Sequence, residues 1–341
     1  GSIDIGGVIV AGDLVDGGEG EIFTTDLGGS ISINAAGSIT AVSEIFSVGE
    51  VSDGDITLIS DTGTITVTGT LGDAVVNAGS GGTIHLEASG DIITGNILSS
   101  GSAGGGSVTI TSNQGIVDIG NLNASSISSN GGEVTINAFS NIFTGAIDSS
   151  GASGGGNVTV TSSSGAIDTT RGRLDSTADS GDAGTIALAA ATTINTGNVA
   201  SNSNTGLGGA VNLGSIGDIA TGAITFGSLS ALSGGALTAD SSGIISLAAL
   251  APNGADTVIG AVNRPNNIQL PDAVTTSGGS VTLFVADAYT FASDLGTDQG
   301  NFSLDGLQAI TLAAPIQTNG GNVTVQSGGA LTLAAPIATN I

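Results

Sequence analysis

Four carboxylates fall within nine residues near the start of the chain: Asp13, Asp16, Glu19 and Glu21, in the run Gly12-Asp13-Leu14-Val15-Asp16-Gly17-Gly18-Glu19-Gly20-Glu21, with Asp26 close behind. Hard oxygens on a flexible, glycine-rich backbone are what calcium selects. Gly17-Gly18-Glu19-Gly20-Glu21-Ile22 partly matches the Gly-Gly-x-Gly-x-Asp calcium repeat, with Glu in place of Asp and no tandem copy. A calcium site on these four acids is the sharper expectation; a solvated acidic loop is the plainer one. A second constellation sets Arg171 and Arg173 among Asp168, Asp175, Asp179 and Asp182. That mixture suits an acidic sugar or a patch of surface ion pairs. The ion-pair patch fits better, because the chain has no lysine, no tryptophan and a single tyrosine, Tyr289. His85 is the only histidine, so it has no partner imidazole for a metal pair, and any Ser–His–Asp set would have to be built on it.

A repeat must position all of these residues. A glycine pair followed by an alternating strand recurs at Gly81-Gly82-Thr83-Ile84-His85-Leu86, Gly105-Gly106-Ser107-Val108-Thr109-Ile110, Gly131-Gly132-Glu133-Val134-Thr135-Ile136 and Gly155-Gly156-Asn157-Val158-Thr159-Val160. The second glycine of each pair, or its equivalent, marks Gly29, Gly54, Gly82, Gly106, Gly132, Gly156, Gly184, Gly209 and Gly235, about 26 residues apart, then Gly279, Gly300 and Gly321, 21 apart. Alternation of two means a strand with one buried and one wet face. A second short element follows each strand, as in Ile92-Ile93-Thr94-Gly95 and Ile142-Phe143-Thr144-Gly145. Two or three short strands in each 21–28 residues predict an all-β, right-handed parallel β-helix of about 12–14 coils, with handedness resting on the general crossover preference. At one strand spacing per coil the rod would be on the order of 60–70 Å long. The predicted division is residues 1–250 with coils of about 26, an irregular junction over 251–277 holding Pro252, Arg264, Pro265 and Pro271, and residues 278–341 with coils of about 21.

The repeat also assigns faces. The wet column of the first strand reads Ser32, Thr57, His85, Thr109, Thr135, Thr159, Ala187, Asn212, Thr238, Thr282, Ser303, Thr324, which makes His85 an exposed spacer. Paired Thr-x-Thr, the pattern of an ice-binding face, occurs there only at Thr109/Thr111 and Thr159/Thr161, and β-propensity explains it equally. Tyr289 aligns with Ile310 and belongs to the core. Phe143, with Phe139 nearby, is either a small exposed aromatic patch or packing beneath a loop.

Composition narrows the partners. Twenty-nine acids against three arginines give a formal charge of -26, which excludes the electrostatics of nucleic-acid binding and of anionic membrane surfaces. No cysteine is present, so there is neither a disulfide framework nor a thiolate metal site. No apolar run is long enough for a membrane-spanning helix. The chain starts and stops within its repeat pattern, without an initiator Met, and reads as an internal fragment of something longer.

The runs Gly-Gly-Asn-Val-Thr-Val-Thr (155–161) and Gly-Asp-Ile-Ile-Thr-Gly-Asn-Ile (90–97) resemble the passenger repeats of filamentous-haemagglutinin-like exoproteins, especially the Ser/Thr/Gly-rich repeat proteins of cyanobacteria. The resemblance is one of pattern and covers nearly the whole chain. It implies a non-enzymatic rod exported by two-partner secretion to the bacterial surface or the extracellular space. There it would act as an adhesin, fibre or matrix component. The secretion domain of that class is not recognisable; Pro252-Asn253-Gly254 is only a fragment of its Asn-Pro-Asn-Gly pattern. Expected partners are further copies, end-to-end or lateral, a host or neighbouring cell surface, and extracellular polysaccharide. The alternatives are a polysaccharide-active β-helix enzyme, which would gather several acids around Arg264 or around Arg171 and Arg173, and a calcium-dependent or ice-binding module.

Overall fold

The structure is a computed structural model; it describes residues 1, 3–5, 9–11, 15–16, 22–23, 29–47, 49, 51–72, 79–228 and 235–339. Among them there is no helix. The chain winds as a parallel β-solenoid of about 12 turns, each contributing a short strand to each of three faces.

The first face is one continuous parallel sheet of 13 strands, from Ile31–Ala35 to Val323–Ser327. Its register repeats the sequence alignment: Ile84 lies between Ile56 and Val108, His85 between Thr57 and Thr109, and Leu86 between Leu58 and Ile110. In Val134–Ala138 the residues Val134, Ile136 and Ala138 are buried while Thr135 and Asn137 are half-covered. The second face carries three-residue strands such as Ile92–Thr94 and Val117–Ile119, and the third carries strands as short as Ile97–Leu98 and Leu122–Asn123. Inward aliphatics from all three faces stack into one core along the rod. Near the start, Val15–Asp16 and Ile22–Phe23 form the one antiparallel pairing among the described strands.

The glycine pair has a steric cause. A Cβ built on Gly132 would lie 2.0 Å from the carbonyl oxygen of Gly106, one on Gly106 would lie 2.2 Å from that of Gly82, and the same clash recurs at Gly300 and Gly321. The second glycines therefore stack carbonyl against Cα at one corner, where no side chain fits. A buried hydroxyl fastens that corner: Ser99 donates to the Gly82 carbonyl and Ser201 to the Gly184 carbonyl at 2.6 Å, with Ser149 and Ser176 doing the same to Gly132 and Gly156. In the short coils Thr276, Thr297 and Thr318 take this role toward Gly279, Gly300 and Gly321.

The same corner explains the change in coil length. The Gly106 N–H closes onto the Ser99 carbonyl across the six residues 100–105, whereas the Gly300 N–H closes onto the Thr297 carbonyl across two. Those two, Asp298 and Gln299, both have positive φ, as a tight reverse turn requires. Asn253 and Gly254 have the same conformation, and the Ala255 N–H closes onto the Pro252 carbonyl at 3.0 Å. Pro252-Asn253-Gly254 is thus the first short-coil corner, inside the stretch 251–277. The extruded part of that stretch is the connection holding Arg264 and Pro265, between the strands Thr257–Ile259 and Asn267–Gln269. The first-face sheet crosses the junction unbroken, through Thr257–Ile259, while the later strands of the other two faces belong to separate sheets.

Candidate functional site

The outward file of the second face brings a cation, an aromatic ring and a carboxylate together beside a cleft. Strand register sets Thr66, Ile93, Asp118, Phe143, Asp168 and Asn195 side by side in successive coils. The corner that follows this face is normally tight, as in Thr94-Gly95-Asn96-Ile97 and Thr144-Gly145-Ala146-Ile147. In one coil it reads Thr169-Thr170-Arg171-Gly172-Arg173-Leu174, two residues longer, and it carries two of the three arginines. Asp168 shapes the enlarged corner by accepting the N–H of Thr170 at 2.9 Å and its hydroxyl at 2.6 Å. Arg171 then reaches back over the half-buried Phe143, its guanidinium carbon 5.6 Å from the ring centroid, and Nη1 donates to Asp118 Oδ1 at 2.7 Å. Below this arch lies an open cleft of about 440 Å3 lined by Ile93, Asn96, Asp118, Asn121 and Arg171, among others.

The enlarged corner disturbs the core. Thr94, Thr144 and Thr221 each donate their buried hydroxyl to the carbonyl of the following glycine, at 3.0–3.1 Å. Thr169 is followed by Thr170 instead, and its hydroxyl has no partner; nor does that of Thr196, its neighbour in register. Each such orphan costs about 1–3 kcal/mol.

The four acids expected around Arg171 and Arg173 go to separate places. Asp168 turns the corner, and the buried carboxylate of Asp175 pairs with Arg173 and accepts the Thr177 N–H at 3.1 Å. Asp179 accepts from Asn204, and Asp182 from the Leu207 N–H at 2.8 Å. The partner of Arg171 is Asp118, 53 residues away in sequence but two coils away in space. Counting register back from Phe143 would have found it. Phe143 is covered by a guanidinium rather than by a loop, while Phe139 is exposed.

Arg264 makes a second clamp of the same chemistry. It donates to the Asp305 carboxylate at 2.7 Å and to the Asp305 carbonyl at 3.0 Å, and it lies 5.1 Å from the Phe284 ring centroid. This ties the extruded loop to the first face. All three arginines therefore sit on carboxylates, and among the described residues each pairs with one acid.

Many other acids serve the coil-to-coil fabric. Asp55, Asp91, Asp218 and Asp256 each accept a backbone N–H from the next coil, at Thr83, Ile116, Ile244 and Ser280, with N···O distances of 2.8–2.9 Å. Asn96, Asn121 and Asn141 do the same. His85 stands on the wet face, 3.7 Å from the Glu87 carboxylate. Tyr289 is buried in register with Ile310, and burial pushes its phenol well above the usual range.

Of the calcium candidates, Asp13, Glu19 and Glu21 lie outside the described residues; Asp16 belongs to the short antiparallel pair. Among the described residues no three His, Asp or Glu side chains are gathered as metal ligands. No described helix is long and apolar enough to cross a membrane.

Fold and site together define a parallel β-solenoid with an open, mixed-polarity cleft on one wet face. No family model matches the chain, no curated protein matches it, and no solved structure matches its fold.

Proposed function

We propose that this chain is a segment of a bacterial extracellular or cell-surface fibre, a stiff, non-enzymatic rod for adhesion, matrix or filament formation. The observation that carries the reading is the unbroken 13-strand first-face sheet, with acids distributed as coil-to-coil caps along it. Residues held in such backbone-capping roles serve the length of the object rather than one reaction centre. Weak contacts repeated along such a rod add by avidity. Further copies, end-to-end or lateral, are the partners this reading expects.

Electron microscopy of the intact secreted material, with and without a calcium chelator, tests the reading. Rods or filaments that persist in chelator are expected. Short soluble monomers alone would overturn the filament role, and loss of rods in chelator would move the acidic segment Asp13 to Glu21 to the centre of the account.

A further inference from the structure

The cleft under Arg171 departs from the repeat in a way the rod does not need. A two-residue insertion occurs at one corner, brings two of the three arginines there, and replaces the glycine that follows Thr169, whose hydroxyl has no partner. Thr94 and Thr144 turn the same corner without insertion and keep their hydrogen bond to the following glycine. Local violations of an otherwise consistent design concentrate at functional sites.

We infer that this cleft is a binding subsite for an uncharged, hydroxyl-rich glycan segment lying along the rod axis. Three features select that class. First, the cleft offers flat polar groups with matched directions: the Asp118 carboxylate as acceptor, and the outward N–H groups of Arg171 as donors. Asn96 and Asn121 spend Oδ1 on the next coil's backbone, which leaves their amide N–H groups as further donors. Second, apolar surface borders them: Ile93, 41% exposed, lines the cleft and can meet the C–H face of a sugar ring. Third, the charges cancel inside the cleft. Arg171 neutralises Asp118 at 2.7 Å, while the chain as a whole carries -26, so a polyanion would meet repulsion without a free cation to offset it. The volume of about 440 Å3 is within the range of small-ligand clefts.

The inference rests on the rod reading, in which such a weak subsite gains from repetition across many molecules. The two fail separately, because rod formation is scored by microscopy and the subsite by binding to the soluble chain. The full chain is titrated with cello-oligosaccharides and manno-oligosaccharides as neutral probes and with oligogalacturonate as the charged one, by calorimetry and by ligand-observed NMR. Saturable binding of a neutral probe is expected. Asp118→Asn and Arg171→Ala should each weaken it about tenfold or more, the loss of one charge-assisted hydrogen bond. Arg264→Ala, which opens the other clamp, should leave it unchanged. Circular dichroism shows that each variant keeps its strands. Absence of binding to either neutral probe, preference for oligogalacturonate, or equal binding by wild type, Asp118→Asn and Arg171→Ala would overturn the assignment.

Discussion

A single methyl group separates tolerated from forbidden at the glycine corner. Gly132→Ala would set a Cβ 2.0 Å from the Gly106 carbonyl oxygen, whereas Gly214→Ala, on an outward site of a first-face strand, meets nothing within 4 Å. The first should lower stability by at least about 1–3 kcal/mol, the cost of overpacking. The second should be neutral or stabilise by up to about 1 kcal/mol through loss of unfolded-state freedom. Urea midpoints of the two variants check the contrast; equal midpoints would refute the stacking argument. Tyr289 gives a second test at this scale. Its pKa is raised in the folded state by burial, so at neutral pH it is protonated in folded and unfolded chains alike and imposes no pH dependence. Above the ordinary tyrosine value of about 10 the unfolded chain loses the proton while the folded one keeps it, and stability falls as pH rises further. Tyr289→Phe should flatten that alkaline limb, and because Tyr289 is the only tyrosine, phenolate absorbance should appear only with unfolding. Individual residues were partly legible beforehand. His85, Tyr289 and the glycine pair follow from alignment of repeats, because each depends on its own position in a coil. The pairing of Arg171 with Asp118 depends on two coils at once, so composition near Arg171 pointed to nearer acids.

Corners, more than strands, distinguish the elements of this solenoid. The two corner types share one fastening, a backbone carbonyl accepting the N–H of the residue at the second-glycine position, and differ in whether six or seven residues, or only two, lie between. They should therefore be interchangeable. Replacing residues 100–105 with Asn-Gly should preserve strand content and thermal midpoint within a few degrees, as read by circular dichroism; collapse of the strand signal would show that the six-residue loop is needed by the core. The Arg264 clamp belongs to the same scale. Arg264→Ala should leave global stability within about 1 kcal/mol, as for a partly exposed ion pair, yet speed proteolytic nicking between Ile259 and Asn267. The sequence pattern revealed the first-face strands because five residues suffice to show an alternation. Strands of two residues, such as Leu122–Asn123, have no period to display, and the third face emerged only from stacking. Of the prolines in 251–277, Pro252 opens a regular tight turn and Pro265 lies in the extruded loop.

At the scale of the molecule, hydrogen bonds run along the rod while the covalent chain runs around it. The first-face sheet joins 13 successive strands in this way, and the side-chain caps from Asp55, Asp91, Asp218 and Asp256 reinforce the same direction. Lateral load is shared among three faces. Axial load is not, because tension applied between the two ends acts on the outermost coil first and reaches its neighbour only after that coil has come away. Stretched by its ends, the rod should unwind like thread from a spool, in steps of one coil, rather than break at once. Each step should release about 85 Å of chain from a long coil and about 70 Å from a short one, at about 3.4 Å per extended residue. Single-molecule force spectroscopy would read two step sizes, and one large rupture would contradict them. An anchored fibre built this way would yield gradually under drag and rewind when slack, so the turn-by-turn stacking doubles as a damper.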